Sequence, residues 1–110
     1  MAENIQIIGL DDLDSSEIAV IKEIISKYMK KISNKMEYTL LKISFKQHQR
    51  IKYFIHEVKA ELFTTQHNKL SAMHTDKNIY KATASIMEKI LAEIEHLKNT
   101  RAKNVKEKKY

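Results

Sequence analysis

Lys27, Lys30 and Lys31 stand at steps of three and four, a spacing that gathers three ammonium groups on one flank of a helix. A cluster of that kind suits phosphate, the charge carried along every nucleic-acid backbone. Lys35 extends the series into the last turn, where lysines also answer the negative end of a helix dipole. Spacing alone supports both uses.

Catalytic chemistry finds little to work with. The five histidines, His48, His56, His67, His74 and His96, are dispersed and form no HExxH pattern. His56 and His74 are expected on adjacent strands facing the core, where hydrogen-bonded histidines are commoner than metal ligands. Ser15, Ser44 and Ser71 have no triad logic, and a single glycine excludes a Gly-rich phosphate loop. The absence of cysteine removes disulfides and thiolate metal sites. No enzyme activity, cofactor, metal or small-molecule substrate is expected.

Charge is divided along the chain. Residues 1–21 hold five acids and no lysine or arginine, whereas residues 22–110 hold all 20 basic residues against nine acids. That imbalance favours a polyanionic partner, most simply nucleic acid. No apolar run approaches the roughly 20 residues that span a bilayer, and no secretory signal opens the chain. A soluble, cytoplasmic protein with no membrane partner is expected.

The elements that must position the lysines follow from hydrophobic period. Ile5, Ile7 and Ile8 suggest a short strand ended by Gly9. Ile18, Ile21, Ile25, Tyr28 or Met29, and Ile32 predict a helix over Ser15–Asn34, capped by Asp14 or Ser15. The period then changes to two in Tyr38–Lys46, Tyr53–Thr64 and Lys69–Thr75, predicting three strands joined by the polar links QHQR and TTQHN. Ile79, Thr83, Ile86, Ile90, Ile94 and Leu97 form the apolar stripe of a second helix, with Asn78 as its N-cap.

The order β-α-β-β-β-α predicts an α+β two-layer sandwich, with two helices on one face of a four-stranded sheet. The first two strands should be parallel and the rest an antiparallel meander. Ile55, Phe63 and Met73 would lie on the open face. Residues 1–103 are expected to form the domain. Residues 104–110 complete a tail with six basic residues and one acid over Lys98–Tyr110, expected to be disordered.

This order, with Asn78, Ile79, Tyr80, Ala82, Ile86, Lys89, Ile90 and Ile94 matching without a gap, resembles the short form of the ribosome hibernation promoting factor family. That family includes the ribosome-associated inhibitor also called protein Y. Leu70 and Ala72 fit its preceding strand, and Ile21, Lys22, Glu23, Ile24, Ile25, Lys31 and Ile32 resemble its first helix. The resemblance implies a factor that occupies the decoding region of the small ribosomal subunit and contacts its rRNA phosphates, as a monomer off the ribosome. Lys31 and Lys89 match basic positions of the family, and Lys98 matches in some members. Lys27, Lys30 and Arg101 are neighbours able to substitute. Side-by-side helices would set Lys27, Lys30 and Lys31 on one wall of a basic cleft, with Lys89 and Lys98 on the other. The chain departs from the family at Tyr28, Ala92 and His96, where basic residues are usual, and in a longer acidic loop after Gly9.

Two rival readings share parts of the pattern. A double-stranded RNA-binding domain has a related topology but needs a basic run opening its last helix, where only Lys81 stands. An adaptor domain would use the open sheet face or the acidic loop to bind protein.

Overall fold

The computed structural model describes residues 5–107. It contains β1 (Ile5–Ile8), α1 (Ser15–Lys35), β2 (Tyr38–Gln49), β3 (Phe54–Thr64), β4 (Lys69–Asp76) and α2 (Ile79–Glu107). The sheet order is β1-β2-β3-β4. β1 lies parallel to β2, and β2–β3 and β3–β4 are antiparallel. This is the expected α+β order.

Each boundary has a local cause. Gly9 ends β1 at φ +94°, and a Cβ there would meet the Phe45 carbonyl oxygen at 2.0 Å, so both conformation and space demand glycine. Asp14, rather than Ser15, caps α1. Its Oδ1 accepts from the Glu17 amide at 2.9 Å while the Asp14 amide donates to Glu17 Oε1 at 3.1 Å, a reciprocal capping box. The Glu17 amide, with the Ser16 hydroxyl after it, holds the Asp14 carboxyl below its ordinary pKa. Asn78 caps α2, its Oδ1 accepting from the Tyr80 and Lys81 amides at 2.9 and 3.1 Å.

The strands outrun their apolar pattern. β2 continues through Gln47, His48 and Gln49, which pair with His56, Ile55 and Phe54. Much of the expected QHQR link is therefore strand. Period-two hydrophobicity marks only strand residues that face a core, and these three lie beyond it. The true turn is Arg50–Tyr53, closed by the Arg50 amide donating to the Tyr53 carbonyl at 2.7 Å. At the opposite end of β3, His67 adopts φ +68° in the Thr64–Lys69 connection. Histidine is among the residues that tolerate this region.

One face of the sheet carries the core. Leu41, Ile43 and Phe45 of β2, Val58, Ala60 and Leu62 of β3, and Leu70 of β4 meet Ile21, Ile25, Met29 and Ile32 of α1. Ile79, Ala82, Ile86, Met87, Ile90 and Ile94 of α2 complete the cluster. At the point the sequence left open, Met29 is buried and Tyr28 sits at the margin. On the opposite face Lys42 stands across from Glu61, and Lys46 across from Glu57. Ile55 and Phe63 there are half-buried and Met73 is exposed.

α2 continues as helix to Glu107, beyond the last apolar residue of its stripe, Leu97. Residues 108–110, the end of the basic tail, lie outside the described residues.

Candidate nucleic-acid interface

α1 and α2 run side by side and parallel. The Tyr28 hydroxyl donates to Glu88 Oε2 at 2.7 Å, and Lys35 Nζ donates to Glu95 Oε2 at 2.8 Å. Both contacts span 60 residues, so seven residues along one helix match seven along the other. The two helices therefore point the same way, and α1 ends beside Glu95 while α2 runs on to Glu107, so the negative C-terminal end of α1 lies against the flank of α2. Lysines collect there.

Lys31 sits on the α1 ridge between Tyr28 and Lys35, and its Nζ lies 5.1 Å from the Tyr28 ring centroid. Lys27 precedes it by one turn and Lys30 continues the exposed surface. Lys98 follows Glu95 by one turn on the facing ridge of α2 and lines a hollow with Lys35 and Thr65. Among the described residues no carboxylate lies within ion-pair distance of Lys27, Lys30 or Lys31. The acids of the seam are engaged instead: Lys35 holds Glu95 below its ordinary pKa, while Glu88 raises that of Tyr28 by holding its proton. The seam is thus bridged by two exposed contacts and positively charged on its α1 wall.

Lys89 is placed elsewhere. It lies one residue from Glu88, about 100° around the helix, and its Nζ donates to the Met73 carbonyl of the edge strand β4 at 2.9 Å. The structure brings Lys27, Lys30, Lys31 and Lys98 to one side of α2 and sets Lys89 on the other. Ala92 and His96 share the Lys89 flank at steps of three and four. Arg101 is in α2, but its side chain lies outside the described residues.

The interhelix contacts were not read from sequence. A tyrosine and a glutamate 60 residues apart carry no local signal; only the shared heptad offset of Tyr28–Lys35 and Glu88–Glu95 would hint at parallel helices once both were placed.

The histidines form no common site. His56 and His74 do share the helix-facing side of the sheet, as expected, but only half-buried at one end of it. Burial lowers the His56 pKa, partly offset by Glu17 and Asp76. His74 Nε2 stands 3.8 Å from Asp76 Oδ2, and His48 Nε2 contacts Glu57 Oε1 at 2.8 Å on the open face. Among the described residues there is no group of three side chains able to hold a metal.

The fold has a solved counterpart. It resembles the N-terminal domain of Thermus thermophilus protein Y, with a TM-score of 0.54 over 88% of this chain and 99% of that one. Sequence identity is 9%, so the likeness to that protein Y domain is one of fold. No family model matches the sequence, and no curated protein matches it.

Proposed function

We propose that the protein is a ribosome-associated hibernation factor, binding the small subunit at its decoding region through rRNA phosphates. The observation that carries this reading is the likeness to the protein Y domain over nearly the whole of both chains. It agrees with the family resemblance of the residues from Asn78 to Ile94. Lys27, Lys30 and Lys31 are the principal phosphate contacts, extended by Lys98 along the seam and by Arg101 three residues further on in α2. A compact basic surface of this kind recognises the backbone and shape of folded RNA with little base reading.

Three departures from the family pattern fit this footprint. Tyr28 replaces a basic residue, but its hydroxyl ties α1 to α2 and its ring lies beneath Lys31. Ala92 and His96 leave Lys89 the lone permanent cation among them on its flank, which shifts the weight of binding to the α1 side. An ammonium has three donors, so the bond to Met73 leaves Lys89 free to meet a phosphate as well.

Such a factor works in the cytoplasm, and among the described residues no helix is long and apolar enough to cross a membrane. The test is sedimentation of the tagged protein through sucrose gradients of extracts from growing and starved cells. Co-migration with small subunits or whole ribosomes is expected, weakening steeply with added salt. A protein that stays at the top of the gradient under both conditions would refute the reading.

A further inference from the structure

The β2–β3 hairpin carries a second surface, remote from the helix C-termini. Since β2 starts just after α1, its far end, and the hairpin with it, lies at the helix N-terminal end of the molecule. Three of the six large hydrophobic side chains exposed among the described residues fall within four positions of this tip: Ile51 at 100%, Tyr53 at 43% and Phe54 at 47%. A single exposed apolar residue is ordinary, but three within four residues concentrate exposed apolar surface at the hairpin tip.

The formal charges of the hairpin segment itself have one sign. From Lys46 to His56 the chain has no acid, and Arg50 and Lys52 flank Ile51. Lys77, arriving from the end of β4, places its Nζ 4.3 Å from the Tyr53 ring centroid. The neighbouring Asp76 carboxylate is turned to the Asn78 amide, which accounts for its lowered pKa. Asp11 and Asp12 share a hollow with Lys46, Gln47 and His56 at the base of the hairpin, short of its tip. On the open sheet face, by contrast, lysines stand opposite glutamates and much of the charge cancels.

Exposed aromatic rings among unpaired cations match one ligand chemistry closely. Single-stranded nucleic acid offers bases that stack on rings and phosphates that seek cations. Duplex bases are already stacked and cannot reach such rings. Three apolar side chains on a turn are also a small footing for insertion into a bilayer. We propose that the hairpin tip binds unpaired RNA, with bases stacking on Tyr53 and Phe54 while Arg50, Lys52 and Lys77 meet the backbone. Lys77 stands over the Tyr53 ring, a base would take the exposed remainder of that ring, and Ile51 would pack beside the stack. This deepens the proposed function, on which it rests for the source of the RNA: a strand left unpaired near the rRNA surface that the lysine cluster grips.

Fluorescence anisotropy with a labelled single-stranded oligoadenylate of about ten nucleotides tests the site, with ribosome co-sedimentation read on the same proteins. Tyr53→Ala and Phe54→Ala should each weaken oligonucleotide binding about tenfold. Tyr53→Phe and Phe54→Tyr should retain it, and none of the four should shift the melting temperature appreciably. Equal affinity of the alanine variants and the wild type would overturn the inference. Ribosome binding by a wild-type protein that ignores the oligonucleotide would overturn it while leaving the hibernation reading intact. Aromatic-dependent oligonucleotide binding without ribosome binding would uphold the tip and refute that reading. Binding to phosphatidylserine vesicles that Ile51→Ser abolishes, with oligonucleotide affinity unchanged by the aromatic variants, would reassign the tip to a membrane surface.

Discussion

Tyr28 donates its phenolic proton to Glu88 at 2.7 Å, and that bond marks which ridge of each helix meets the other. Removing the hydroxyl by Tyr28→Phe should cost about 0.5–1 kcal/mol at neutral pH, the lower part of the range for a partly solvated hydrogen bond. The bond also has a pH signature. Ionising Tyr28 would set a phenolate against a carboxylate, so its folded pKa lies above the ordinary 10.0. A raised pKa stabilises the fold below the unfolded value, and that stabilisation is lost as pH climbs through the folded one. Melting temperatures of wild type and Tyr28→Phe should therefore converge above pH 10.0. Parallel profiles through that range would show that the bond does not persist in solution.

Ile90 tests the packing of α2. Its side chain is fully buried between the helix and the sheet. Ile90→Asp places a carboxylate there with no cation to meet it, and should destabilise the fold by roughly 3–5 kcal/mol. Urea denaturation measures the loss directly, and an unchanged midpoint would mean that a different face of α2 is buried.

Gly9 should tolerate no side chain. With φ at +94° and the Phe45 carbonyl oxygen in the place of a Cβ, Gly9→Ala must shift β1 or β2. A loss of about 2 kcal/mol or more is expected in thermal or urea unfolding. A neutral substitution would mean that the β1–α1 connection follows another path.

The α1 lysines should govern affinity without governing stability. Lys27→Gln, Lys30→Gln and Lys31→Gln together should abolish ribosome co-sedimentation while the melting temperature changes little. Each phosphate contact removed singly should flatten the log–log salt dependence by about 0.7–0.9. Lys89→Gln should weaken binding less than Lys31→Gln, because much of its role is to hold Met73. Full ribosome binding by the folded triple variant would dismiss the α1 surface as the interface.

The parts of this molecule that could be read in advance are those set by neighbours within a few residues. Asn78 and the stripe from Ile79 to Ile94 announce a capped helix because cap and period are local properties. Leu41, Ile43 and Phe45 mark a core-facing strand for the same reason. Gln47–Gln49 escaped because strand residues beyond the core are polar and show no period. The position of Lys89 escaped for a different reason: a rotation of α2 by one residue, about 100°, decides whether a lysine faces α1 or β4, and lysine identity says nothing about that angle. Tyr53 and Phe54 were legible only as alternating apolar letters, which conceal that both stand clear of the core.

The contact of Lys89 with Met73 has a consequence for how copies of this chain meet one another. β4 is the outermost strand, so its outward carbonyls are half of a ladder waiting for another strand. The Lys89 ammonium occupies one rung. An incoming strand would have to displace that bond and then lie beside a desolvated charge, a poor template for self-assembly. The opposite edge is β1, which covers Ile5–Ile8 among the described residues. A sheet with a lysine bonded across its β4 border is guarded there against joining another sheet edge to edge.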